Sequence, residues 1–138
     1  MELKERFLKY VAINTRSDEN SETFPSTAVQ WDLLNALVEE MKLLGLQDVT
    51  IDKYGYAMGT IPATPGKENA PVIGFLAHVD TAPDMSGENV RPHIIESYDG
   101  KDIVLNNALT MKVSDFPELS RFVGHTLIHT DGTTLLGA

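Results

Sequence analysis

The residues best suited to do chemistry are His78 and Asp80, an imidazole and a carboxylate that follow the uncharged run Val72-Ile73-Gly74-Phe75-Leu76-Ala77. Side chains two apart on an extended segment share a face, so these two groups should project together. A neutral imidazole is a ligand for zinc. A carboxylate beside it can accept the second ring N–H, which fixes the tautomer and strengthens the remaining nitrogen as a donor to metal. The competing reading of such a pair is a hydrogen-bonded structural histidine. Against it, His78 ends a run where an ionisable side chain has no packing role, and Pro83 restricts the exit of the loop. The other histidines offer less. His125 and His129 are four apart and read as surface or rim residues of a strand, and His93 lies between Pro92 and Ile94. Asp131-Gly132 is first of all a turn.

Composition limits which chemistry is open to this site. The chain has 138 residues and no cysteine, so disulfides and thiolate ligands are excluded and any metal must be held by nitrogen and oxygen. Eleven basic against 20 acidic side chains give a net charge of -9, which argues against nucleic acid as a partner, because phosphate neutralisation needs clustered Lys and Arg. No stretch approaches the roughly 20 apolar residues of a membrane span. The start, Met1-Glu2-Leu3-Lys4-Glu5-Arg6, lacks the apolar core of a signal peptide, so a cytoplasmic location is expected.

The elements that must position the pair can be read from periodicity. Leu3, Phe7, Leu8 and Val11 predict an amphipathic helix near residues 2 to 13, broken by Asn14-Thr15-Arg16-Ser17. After a polar loop, Thr27 and Gln30 have the spacing of a capping box. Val29, Leu33, Leu37, Met41 and Leu44 then predict a second helix, ended by Gly45. Val49 and Ile51, followed by the Lys53-Tyr54-Gly55 turn and residues 56 to 61, predict a hairpin. Bounded by Pro71 and Pro83, residues 72 to 77 predict a strand buried on both faces, the pattern of a central parallel strand, at whose carboxyl end ligands collect. Ile94-Ile95 and Ile103-Val104-Leu105 flank Asp99-Gly100 as a further hairpin, 117 to 122 as a helical turn, and 126 to 130 as a last strand. The expected fold class is α/β, a three-layer helix-sheet-helix arrangement with a mixed sheet.

Two stretches together resemble a known family. Ala77-His78-Val79-Asp80-Thr81-Ala82-Pro83-Asp84 and His129-Thr130-Asp131-Gly132-Thr133-Thr134-Leu135-Leu136-Gly137-Ala138 are similar to the two early motifs of the M20 zinc metallopeptidases, in particular their tripeptide aminopeptidase branch. The segment Phe7 to Ser17 resembles the same enzymes. The resemblance covers essentially the whole chain, which looks like the N-terminal portion, residues 1-138, of a zinc-peptidase catalytic domain whose remainder and lid domain are absent. It implies release of the N-terminal residue of tripeptides, two zinc ions per complete subunit, small peptides as partners, His78 as a metal ligand and Asp80 as the catalytic-site carboxylate supporting it. In the family the Gly-Ala pair is followed by an aspartate that bridges the two ions. Here Ala138 is last, so that ligand, the general base and the later ligands have no counterpart, and the chain by itself is expected to be inactive. Two alternatives stand beside this reading: a related metallohydrolase acting on dipeptides or acyl-amino acids, and a non-catalytic acidic interaction domain. An unpaired sheet edge and apolar surface would favour association or partial disorder near Leu135 to Ala138.

Overall fold

A computed structural model describes residues 2–137. In chain order the elements are α1 (Leu3–Val11), α2 (Gln30–Leu43), β1 (Gln47–Ile51), β2 (Ala57–Thr60), β3 (His93–Ile95), β4 (Ile103–Val104), β5 (Thr110–Met111), a 3-10 helix (Pro117–Phe122) and β6 (Leu127–His129). They fall into two compact units, Asn14–Pro83 and the combination of Met1–Ile13 with Asp84–Ala138.

In the unit Asn14–Pro83, α2 carries the core. Leu33, Leu34 and Val38 recur at three- to four-residue spacing and are buried, and the helix packs on β1 and β2. It begins at Gln30 rather than at Thr27, because the Thr27 hydroxyl is turned elsewhere and donates to the carbonyl of Arg16 at 2.7 Å. A tight turn of i to i−3 bonds leads in instead: Gln30 N–H donates to Thr27 O and Trp31 N–H to Ala28 O. The other end closes as foreseen. Gly45 has φ +80°, Leu46 N–H donates to Met41 O and Gly45 N–H to Lys42 O, both at 3.0 Å, the double closure of a Schellman motif. The β1–β2 hairpin also forms, antiparallel, with Asp52 Oδ1 accepting the amides of Tyr54 and Tyr56 at 2.9 Å each. At Gly55, φ is +85° and a Cβ would meet Pro25 Cγ at 2.8 Å, so this turn requires glycine twice over.

The expected central strand at 72–77 does not form. Residues 71–80 carry no strand, and Val72, Phe75 and Leu76 are 98%, 94% and 98% exposed. A parallel strand buried on both faces requires a hydrogen-bonding neighbour and a covering layer on each side. Among the described residues nothing supplies them, so the apolar run stays extended and open.

In the other unit, the capping of α1 is local: Glu2 N–H donates to Glu5 Oε2 at 3.1 Å, and Lys9 in the last turn complements the helix dipole. The hairpin expected between 94–95 and 103–105 is replaced by two other strand pairings. β3 pairs with β6, and β4 pairs with β5, both antiparallel. Asp99-Gly100 does turn the chain, with Gly100 at φ +84° and Lys101 N–H on Asp99 Oδ1. The partner is chosen by Tyr98, which is 2% exposed. Its amide donates to His125 O at 2.9 Å, its carbonyl accepts from Gly124 N–H at 2.8 Å, and its hydroxyl donates to Lys101 O at 2.6 Å. Burying this ring draws the chain after β3 toward 124–125, and β6 follows directly. The short helix at Pro117–Phe122 and the strand at Leu127–His129 lie where the sequence predicts them.

Helices and strands thus mix in one chain, consistent with the α/β class. The strands of the described residues make three two-stranded antiparallel sheets, β1-β2, β3-β6 and β4-β5, in place of the mixed sheet expected.

Candidate functional site

His78 and Asp80 are brought together as their spacing predicts. The ring Nδ1 lies 3.1 Å from Asp80 Oδ1, and the side chains are 68% and 42% exposed. An ionised carboxylate only accepts, so Nδ1 carries the hydrogen and, in the neutral ring, Nε2 keeps its lone pair facing away from the carboxylate. The pair can offer one oriented nitrogen to a cation and keep a negative charge behind the ring.

The backbone just after the pair is clamped by Thr15-Arg16-Ser17. Thr81 N–H donates to Thr15 O at 3.1 Å, and Thr81 O accepts from both the amide and the hydroxyl of Ser17, at 2.9 and 3.0 Å. This is a parallel bridge between Arg16 and Thr81. The Arg16 guanidinium continues the clamp onto Pro83 O, while its own amide donates to Asn14 Oδ1. Thr15 is buried. In the sequence, Asn14-Thr15-Arg16-Ser17 marks the end of a helix and falls in the stretch that resembles the M20 enzymes, but its role as a clamp is signalled only by a run of four polar, hydrogen-bonding side chains.

Among the described residues no group of three or more His, Asp or Glu converges to hold an ion. His78 with Asp80 is therefore a partial donor set. The second motif forms a turn in the other unit. Asp131 Oδ1 accepts the Thr133 hydroxyl at 2.6 Å and the Thr133 amide at 2.9 Å, and these bonds hold the carboxyl below its ordinary range. Gly132 has φ +80°, and a Cβ there would meet Asn106 Nδ2 at 2.6 Å. Of the remaining histidines, His125 stands edge-to-face on Phe122, with centroids 6.2 Å apart. His129 lies in β6 directly opposite His93, a neighbour that spacing along the chain could not reveal.

Comparison with known proteins adds the class. The curated proteins to which this chain is similar are peptidases, although no family model matches it. The chain is homologous to peptidase T: it is 60% identical to peptidase T of Geobacillus kaustophilus (strain HTA426) and 59% identical to that of Bacillus subtilis (strain 168), over 139 residues and 99% of its own length in each case. Against peptidase T of Alkaliphilus oremlandii (strain OhILAs) the identity is 55% over 137 residues and 97% of the chain. In all three the chain spans 34% of the relative's length.

Proposed function

We propose that this chain is the N-terminal part of the catalytic domain of a zinc-dependent aminopeptidase that releases the N-terminal residue of tripeptides. The single observation that carries the reading is the exposed His78 ring held at 3.1 Å by Asp80, within a chain homologous to peptidase T along 99% of its length. The donor chemistry fits zinc: one imidazole nitrogen is oriented by a carboxylate and no thiolate is required. His78 is the metal ligand of this proposal and Asp80 the active-site carboxylate that orients it. His78 would hold the zinc as one of its ligands, and the chemistry supplied there would be polarisation of a peptide carbonyl and acidification of a water. Asp80 holds the Nδ1 proton, and Thr15, Arg16 and Ser17 hold the backbone that presents both side chains.

A catalytic zinc needs about three protein ligands, so the remaining ones, those of a second zinc ion and the general base belong to the part of the relatives' length that this chain does not span. In the complete domain we place residues 72–77 as the central strand of a three-layer helix-sheet-helix structure, which would cover the apolar side chains left open here. The acidic composition argues against action on nucleic acid, and a cytoplasmic enzyme acting on small peptides is the reading that goes with the resemblance. No helix among the described residues is long and apolar enough to cross a membrane.

The test is a chimera in which this chain replaces the matching third of the Geobacillus kaustophilus relative. With zinc it should cleave tripeptides, and His78→Ala should cost more than the roughly 10- to 100-fold typical of losing a group that only supports a ligand. Cleavage of dipeptides or acyl-amino acids in place of tripeptides would replace the substrate assignment. Cleavage that persists in chelators would remove the metal assignment, and a folded chimera with neither turnover nor bound metal would favour the interaction domain. The 138-residue chain alone should release no amino acid, and turnover by it that His78→Ala abolishes would show the partial donor set to be sufficient.

A further inference from the structure

We propose that His93 and His129 form a two-histidine binding site for an exchangeable divalent transition-metal ion, Cu2+, Ni2+ or Zn2+, on the face of the β3–β6 ribbon. The two residues are directly opposed in the antiparallel register, so their side chains leave the same face with Cβ atoms about 5 Å apart. Their rings stack at 5.4 Å between centroids and 16° between planes. Residues so opposed hold their rings close enough for one ion to bridge them after a small rotation.

The protonation pattern favours a ligand role for His129. Its Nδ1 is 2.7 Å from Thr130 O, and a carbonyl only accepts, so Nδ1 carries the hydrogen and Nε2 is left as the lone-pair nitrogen. Donation of one ring N–H to a backbone carbonyl is the usual way a metal-ligating imidazole is held. His93 is exposed and has no hydrogen-bond partner for its ring among the described residues, so it can turn to meet the ion.

The surrounding charge is compatible with a cation. Asp131, two residues beyond His129, places a carboxylate close to the ribbon along the chain, its Oδ1 accepting the Thr133 hydroxyl and amide. With only two protein ligands, water must complete the coordination, so binding is weak and reversible. Imidazole pairs favour Cu2+ over Ni2+ and Zn2+ and leave Mg2+ and Ca2+ unbound. A metal bridge across β3 and β6 also ties together two strands of only three residues each, too short to be a stable ribbon alone.

The site is independent of the peptidase proposal, and the experiment keeps them apart. Ni2+ is titrated into the chain and into its His78→Ala variant while the histidine ring protons are followed by NMR, with Mg2+ as control. Saturable broadening of His93 and His129 should occur in both proteins and not with Mg2+. His93→Gln, an exposed substitution, should weaken that binding about tenfold or more while leaving the amide spectrum otherwise unchanged. Zn2+ should raise the melting temperature of the His78→Ala variant and fail to raise that of His78→Ala combined with His93→Gln. Broadening confined to His78 or His125, or binding at this ribbon that His93→Gln does not alter, would overturn the proposal.

Discussion

Arg16 donates from Nε at 2.9 Å and from Nη2 at 2.5 Å to the carbonyl of Pro83, a residue 67 positions further along the chain. With the Thr15 and Ser17 bonds to Thr81, this ties the loop after His78 and Asp80 to the segment that leads toward α2. The site is presented by residues that carry none of its chemistry. Arg16→Met should therefore raise the exchange rate of the Thr81 amide by about tenfold or more, as the clamp opens locally. Arg16→Lys, which keeps charge but loses the planar pair of donors, should recover only part of the protection. Unchanged protection in both variants would mean that the Ser17 and Thr15 bonds suffice.

Asp80→Asn should release the His78 ring from its fixed tautomer. An amide can accept from Nδ1–H through its oxygen or donate through its NH2 to an unprotonated Nδ1, so 15N shifts of the ring should move toward a mixture of tautomers. In the zinc-loaded chimera the same variant should lower metal affinity about 10- to 100-fold. A ring spectrum identical to that of the parent would remove Asp80 from the role given to it.

Leu34 and Phe75 should respond oppositely to truncation. Leu34, on the buried face of α2, is 3% exposed, and Leu34→Ala should cost about 2–5 kcal/mol in denaturant unfolding. Phe75 is 94% exposed, and Phe75→Ala in the 138-residue chain should stay within about 0.5 kcal/mol. Phe75→Lys should in addition reduce concentration-dependent association seen by light scattering, because an open apolar extended segment invites pairing between molecules. A large loss from Phe75→Ala would show that the segment is covered in this chain.

Gly55→Ala combines a positive φ with a contact of 2.8 Å to Pro25 Cγ and 3.0 Å to Leu34 Cδ1. It should destabilise the unit by about 1–3 kcal/mol and loosen the β1–β2 turn. Gly45→Ala shares the strained φ, yet a Cβ there meets nothing within 4 Å, so its cost should be the smaller of the two. Equal thermal shifts for both would assign the whole effect to φ.

Acid should act through Asp131. The Thr133 hydroxyl and amide bind its ionised form and lower its pKa from the ordinary 3.8. A carboxyl depressed in the folded state contributes stability that is present above 3.8 and is lost as pH falls through the lower folded value. Melting temperatures measured between pH 5 and about 2 should fall less steeply in Asp131→Asn than in the parent. Parallel curves would place the acid sensitivity elsewhere, with Asp99, held low by the Lys101 ammonium 2.6 Å away, the next carboxyl to replace.

What the amino-acid order determined by itself is everything governed by neighbours a few residues away. The α1 and α2 periodicities, the Gly45 closure, the Asp52–Gly55 turn, the Asp131-Gly132 turn and the His78–Asp80 contact all rest on interactions within about one turn or one strand repeat, and each is legible from residue type and spacing. Pairings between distant segments were decided only by tertiary structure. Asp99-Gly100 marked a turn correctly, but Tyr98, by burying its ring and bonding to 124–125, sent β3 to β6 rather than to β4. The stacking of His93 on His129 and the grip of Arg16 on Pro83 join residues 36 and 67 positions apart, beyond the reach of any local pattern. The apolar run at 72–77 shows the limit most directly: its composition states that it suits burial on both faces, while burial itself requires partners that only a fold can bring alongside.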